Sequence, residues 1–314
     1  MSTIRVVELV GYGGPEMLRV AERELPEPLP TEVRVRVRAA GVNPVDWKTR
    51  AGRGMARVLG EPPVVLGWDV AGVVEAVGDG VTRFEVGDEV FGMPWFPRQA
   101  GAYGEAVTAP SRQFALKPVE TDFVAAAALP LAGLTAWQVL VDTADVQPGQ
   151  RVLIVGASGG VGHLAVQIAK SRGAVVIGTA RAEHHDVLAE LGIDELVDYT
   201  EVAFEDHVED IDLAVDLVGG EYGLRCLDVL RPGGLLVAPA GLPEGIEKEA
   251  AAHQVEVSPF LVEPDGAALD EIAELVEEGA LHVAVAGTFP LASAAAAHEA
   301  GERGGLGGKL VLVV

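Results

Sequence analysis

Between residues 32 and 38, Val33, Val35 and Val37 alternate with Glu32, Arg34, Arg36 and Arg38. That period of two turns one face to a core and the other to water, and predicts a half-buried strand. The segment 64–78, VVLGWDVAGVVEAVG, is β-branched, broken by glycine, and ends in the turn Gly78-Asp79-Gly80, so it also reads as extended. Proline and glycine punctuate 93–104, which reads as loop. Near residue 120 the texture changes. Residues 152–155 are wholly apolar, and 160–171 carries Val161, Leu164, Ala165 and Ile168 at helical spacing with Gly173 as its stop. Residues 175–177 predict a strand, 182–191 a helix ending at Gly192, and 213–218 and 235–237 two more strands. Apolar strands alternating with helices predict an α/β fold, its parallel sheet covered on both faces. The alanine-rich stretch 292–297 reads as helix, and 310–314 as a strand that returns to the first domain.

At roughly 150 residues per domain, 314 residues suggest two domains. With 49% hydrophobic and 22% charged residues, the chain has the material for full cores and not the profile of disorder. The 23 Lys and Arg against 47 Asp and Glu leave a net charge of −24. A field of that sign repels phosphate backbones and anionic lipid, so neither nucleic acid nor membrane is an expected partner. Any anionic ligand must be held by a few local cations and backbone N–H groups. The single cysteine, Cys226, excludes an intrachain disulfide and a cysteine-rich zinc site. The opening MSTIRVVELV lacks a secretory pattern, so a cytoplasmic location is expected. Residues 123–141 carry no charge, but they are alanine-rich, contain Pro130 and Gly133, and are flanked by Asp122 and Asp142. They read as a buried helix pair rather than a membrane span.

Residues 155–162, VGASGGVG, join the apolar strand to the amphipathic helix and space Gly156, Gly159 and Gly162 three apart. Such glycines allow a tight turn, close approach of backbone to a pyrophosphate, and close packing of helix on strand. The helix start then offers free N–H groups and a positive dipole end to the anion. The flanking elements raise this spacing above a chance match. NAD-binding folds usually carry an acidic residue about 20 residues further on, to hold the ribose 2′-hydroxyl. Here the stretch is Ile177-Gly178-Thr179-Ala180-Arg181, without a carboxylate and with an arginine where a 2′-phosphate would lie. NADPH is therefore the expected cofactor. The expected cofactor residues are Gly156, Ser158, Gly159, Gly160, Val161 and Gly162 in the turn, and Thr179 and Arg181 after the second strand. His184, Tyr199, Val218, Gly241 and Lys309 complete the set.

The segments GVNPVD (41–46), LGWDVAGVVEAVGDGV (66–81), FEVGDEVFG (84–92), LPLAGLTAW (129–137), VGASGGVG (155–162), LRPGGLLV (230–237) and GGKLVLVV (307–314) span the chain in order. Together they resemble the zinc-independent quinone oxidoreductase branch of the medium-chain dehydrogenase/reductase superfamily. The resemblance implies a GroES-like β-barrel catalytic domain from residues 1–118 and 257–314, with a Rossmann domain, 119–256, inserted. It also implies a homodimer and an active site in the cleft between the domains. Positions that bind catalytic zinc in the superfamily's alcohol dehydrogenases correspond to Asn43, Trp68 and Leu131. None is a thiolate, imidazole or carboxylate, so no metal is expected.

Without a metal, the resemblance implies hydride transfer to a quinone or an α,β-unsaturated carbonyl, whose conjugation spreads the charge left on oxygen. It points to Asn43 and its loop. Many quinone reductases carry Asn-x-x-Asp-x-Tyr there, whereas this chain has Lys48 in place of the tyrosine, closer to the enone-reducing members. Lys48 or Asn43 is the expected donor to the substrate carbonyl, with solvent or Lys48 delivering the proton; Lys48 reads equally as a solvated cation. Asp46 is expected to organise the loop. Thr135 resembles the residue beside the nicotinamide, or is a helix-interior threonine bonding its own backbone. Trp68, Trp95, Phe96 and Tyr103 are candidate walls of an aromatic acceptor pocket, or plain packing. An enoyl-thioester reductase and a non-catalytic NADPH-sensing or RNA-binding relative stand as alternatives.

Overall fold

A computed structural model of the protein describes residues 3–314. The chain forms two compact units. One comprises the chain up to Leu134 with Glu263–Gly279 and Val283–Val314; the other comprises Thr135–Val262 with Ala280–His282. In chain order the first unit contributes β1 (Thr3–Leu9), β2 (Leu18–Glu24), β3 (Glu32–Val42), β4 (Val64–Val65), β5 (Val70–Val77), β6 (Glu89–Gly92), β7 (Ala106–Pro110) and β8 (Phe114–Leu116). The second contributes β9 (Arg151–Val155), β10 (Val175–Ala180), β11 (Glu195–Asp198), β12 (Ile211–Asp216), β13 (Leu230–Val237) and β14 (Glu256–Ser258). The chain then returns to the first unit with β15 (Val285–Pro290) and β16 (Lys309–Val313).

In the first unit, β3 buries Val33, Val35 and Val37 while Arg36 and Arg38 stay exposed, as the alternation predicts. The larger sheet runs β15-β16-β3-β5-β6-β8, with β7 also pairing β3; β2-β1-β4 forms a smaller sheet. The closing strand lies antiparallel to β3, Leu310 opposite Val42 and Val313 opposite Ala39. The segment 64–78 is not one strand. Gly67 adopts φ +90°, Leu66 and Gly67 accept from the Tyr103 and Ala102 N–H groups, and a Cβ on Gly67 would lie 2.4 Å from the Tyr103 ring. The chain turns there because only glycine fits under that tyrosine.

This unit extends past 118 because the helix Phe123–Ala128 packs on β3, β5 and β16. The approach is close: a Cβ on Gly41 would lie 2.5 Å from the Ala127 carbonyl. The uncharged stretch 123–141 is a succession of short buried helical turns, and among the described residues no helix is long and apolar enough to cross a membrane.

The second unit is a six-stranded parallel sheet ordered β11-β10-β9-β12-β13-β14. The order reverses between β9 and β12, the point where such sheets open a crevice beyond their strand ends. Strand β9 buries Val152 to Val155 completely, as its uninterrupted apolar run requires. The helix Gly162–Ser171 follows and buries Leu164, Ala165 and Ile168. The expected helix 182–191 is a 3-10 turn, Ala182–His184, leading into a helix, His185–Glu190.

Candidate active site

In the second unit, the glycine-rich turn leaves β9 beside the reversal point of the sheet. Gly156 has φ +87° and its N–H donates to Thr179 Oγ1 at 3.0 Å, tying the turn to β10. A Cβ on Gly162 would meet the Gly156 carbonyl at 2.2 Å and the Ala157 carbonyl at 2.7 Å, so the helix starts where only glycine allows. The Gly159 N–H is spent on the Gly156 carbonyl, while those of Gly160 and Val161 have no acceptor among the described residues. Exposed Gly159 and half-buried Ser158 complete a turn whose N–H groups and absent side chains fit a pyrophosphate.

Beyond β10, the Arg181 guanidinium donates through Nε to the Tyr199 hydroxyl at 3.0 Å, and this bond holds its pKa above the usual value. Both side chains are substantially exposed, so the cation is available to an anionic ligand. His184 follows in the same turn. Val218, 51% exposed, lies over Gly156, and Gly241 adopts φ +109° with open space where a Cβ would be. The sequence-based set omits Asp216 at the end of β12. Its Oδ1 accepts from the Val218 and Gly219 N–H groups, both at 2.9 Å, and so shapes the neighbouring loop. Its Oδ2 is buried without a partner, and burial pushes the carboxyl up. An acid read alone in an apolar strand gave no signal of that task. Thr135 is 4% exposed within the helix Pro130–Trp137.

In the first unit, Asn43, Asp69 and Lys309 form a buried polar cluster with exposures of 1%, 0% and 4%. Asn43 Nδ2 donates to Asp69 Oδ2 at 2.8 Å, and the Lys309 ammonium donates to Asn43 Oδ1. The same ammonium lies 3.4 Å from Asp69 Oδ2, while Asp69 Oδ1 accepts from the Leu131 N–H at 2.7 Å. The amide is thus held on both sides, by a cation at its oxygen and a carboxylate at its nitrogen. Lys309, expected among the cofactor residues, is placed by the fold as a buried counter-ion of Asp69. Periodicity could not reveal this, because the partners come from distant segments.

The three positions matched to zinc ligands do not fit a metal. The Asn43 oxygen is taken by an ammonium, the one polar atom of Trp68, Nε1, donates to the Arg98 carbonyl at 2.6 Å, and Leu131 is aliphatic. A dication there would sit beside the Lys309 ammonium, and the neighbouring carboxylate, Asp69, is already engaged by Asn43, Lys309 and the Leu131 N–H. Among the described residues no group of three His, Cys, Asp or Glu side chains is placed to hold a metal ion.

Asp46 organises the loop as expected: its Oδ2 accepts from the Asn43 N–H at 2.7 Å at the start of the helix Pro44–Arg50. Burial, reinforced by nearby Asp69, pushes this carboxyl up to about 7. Tyr103 Oη lies 3.0 Å from His298 Nε2, and both residues are fully buried. Burial and then the Arg50 guanidinium push the imidazole down to about 3. Tyr103 and Trp68 are therefore core side chains rather than pocket walls. Trp68 packs edge-on against Phe96, their ring centroids 5.3 Å apart. Trp95 is half-buried and anchored by Nε1 to the Thr108 carbonyl at 2.9 Å. Lys48 is exposed on the helix Pro44–Arg50.

Residues 29–119 match the alcohol dehydrogenase GroES-like domain and residues 191–312 the zinc-binding dehydrogenase family. The chain is similar to 2-haloacrylate reductase of a Burkholderia species, at 36% identity over 310 residues, covering 91% of this chain and 92% of that protein. Its fold is similar to that of the quinone oxidoreductase from Coxiella burnetii, with a TM-score of 0.94 and 34% identity over 100% of both chains. It is also similar to Escherichia coli quinone oxidoreductase complexed with NADPH, with a TM-score of 0.89 and 28% identity over 100% of both chains. A GroES-like unit, a six-stranded parallel nucleotide-binding sheet and this pattern of likeness place the chain in the zinc-independent quinone oxidoreductase branch of the medium-chain dehydrogenase/reductase superfamily.

Proposed function

We propose that the protein is an NADPH-dependent oxidoreductase that reduces a quinone or an α,β-unsaturated carbonyl. The observation that carries this reading is the Asn43–Asp69–Lys309 cluster: at the position matched to a zinc ligand, the barrel unit holds an amide clamped by an ammonium. A substrate oxygen there meets hydrogen-bond donors at most, so the acceptor must delocalise the incoming electron pair through its own conjugation. The likeness to 2-haloacrylate reductase and to quinone oxidoreductases supports both acceptor classes.

When bound, the reduced nicotinamide supplies the hydride. The chain's residues do the rest. The Gly160 and Val161 N–H groups receive the pyrophosphate, and Arg181 with Tyr199 receives the 2′-phosphate. Thr135 orients the ring. Lys48, exposed on the helix Pro44–Arg50, donates to the carbonyl oxygen and delivers the proton that balances the transferred hydride.

The test is NADPH oxidation by the full chain with 1,4-benzoquinone, 9,10-phenanthrenequinone, a simple 2-alkenal and 2-chloroacrylate. Turnover with at least one, unchanged after dialysis against EDTA, is expected. Nucleotide binding with no turnover across the panel would remove the catalytic claim.

A further inference from the structure

The Arg181 cluster holds two carboxylates, and they are committed differently. Asp198 is spent on backbone and side-chain donors: Oδ2 accepts from the Ala182 N–H at 3.0 Å, and Oδ1 accepts from the Thr200 N–H at 2.9 Å and Thr200 Oγ1 at 2.7 Å. Those bonds hold its pKa below the usual range and fix the turn that carries Arg181. Glu183 has no such anchor. Its side chain is 61% exposed, and its Oε1 lies 3.8 Å from Arg181 Nη1 and 3.6 Å from His184 Nε2. Both distances are longer than hydrogen bonds, and the first is a charge contact with the guanidinium. Glu183 therefore shares the cation reserved for a 2′-phosphate while keeping its own oxygens free to accept.

We propose that Glu183 sets the balance between NADPH and NADH, an inference that rests on the assignment of Arg181 to the 2′-phosphate. Toward NADPH, the carboxylate neutralises part of the Arg181 charge and repels the phosphate dianion. Toward NADH, it is an acceptor for the ribose hydroxyls, the role that an acid at the end of the second strand usually fills and that the stretch 177–181 lacks. The site prefers the phosphorylated nucleotide but is held back from strong discrimination. Substituting Glu183 should sharpen it.

The experiment is isothermal titration of the full chain with 2′,5′-ADP and 5′-AMP, paired with KM for NADPH and NADH, for wild type, Glu183→Gln, Glu183→Asp and Arg181→Ala. Because Glu183 is exposed, the isosteric glutamine leaves the fold intact. Glu183→Gln should bind 2′,5′-ADP about five-fold more tightly, the scale of one exposed charge pair. It should not bind 5′-AMP more tightly, and Glu183→Asp should stay near wild type. The gain should shrink at high salt, where exposed charges are screened. A ratio of the two affinities unchanged in Glu183→Gln, with Arg181→Ala still losing 2′,5′-ADP selectively, would overturn the role of Glu183 alone. If Arg181→Ala weakens both nucleotides alike, the phosphate assignment falls and the Glu183 inference falls with it.

Discussion

Lys309 stands 240 positions from Asp69 in the sequence and 3.4 Å from it in the fold. With both groups out of water, each is tolerable only because the other is present. Removing one member of such a pair is costly because it strands the opposite charge, and Asn43 would lose the cation that orients its amide. Replacing Lys309 with Met should therefore lower the stability of the barrel unit by about 3 kcal/mol, read as a shift of the urea midpoint without nucleotide. Arginine at that position should recover part of the loss. An unaltered midpoint combined with weakened NADPH binding would show that Lys309 serves the cofactor rather than Asp69.

Between elements, the helix Pro44–Arg50 is fastened to the helix Ala294–Arg303 through Trp47 and Arg50. Trp47 lies against Gly301, where a Cβ would come within 2.5 Å of its ring, and Arg50 bonds the Gly13 carbonyl and Glu302. His298 and Asp46 sit in the same contact and titrate with opposite consequences. His298, held down at about 3, refuses a proton that the unfolded chain accepts, so it costs stability as pH falls below 6.5. Asp46, held up at about 7, keeps a proton that the unfolded chain releases, so it adds stability as pH falls from 7 toward 3.8. The two offset one another between these limits. Replacing His298 with Gln should unmask the aspartate. Relative to wild type, the variant should then gain stability from pH 6.5 to 5, by at most about 1.4 kcal/mol per pH unit. Urea midpoints at pH 5, 6 and 7 read the difference; parallel curves would exclude the buried imidazole as the source.

At the scale of the whole molecule, the barrel unit is built from both ends of the chain. Strand β16 lies between β15 and β3, so the larger sheet is incomplete until residues 309–313 join it. Deleting residues 309–314 removes that strand together with Lys309 and leaves the edges of β3 and β15 unpaired. The shortened protein should be rapidly cleaved in limited proteolysis and lose the barrel's cooperative melting. A wild-type proteolytic pattern would mean the closing strand is dispensable.

Periodicity and composition by themselves determined the parts of this protein that depend on near neighbours. The alternation on β3, the apolar run of β9, the glycine turn and the arginine past β10 are local patterns, and backbone sterics allow few structures for each. The acidic surplus likewise follows from counting. What needed the folded chain were pairings between distant segments. Gly67 breaks the stretch 64–78 because Tyr103 lies above it. Tyr103 and Trp68 look like pocket aromatics until their burial is known. Glu183 and Lys309 take their meaning from the charges the fold sets beside them. Electrostatic and packing energies depend on distance through space and on exclusion of water, and neither is encoded in the spacing of residues along the chain.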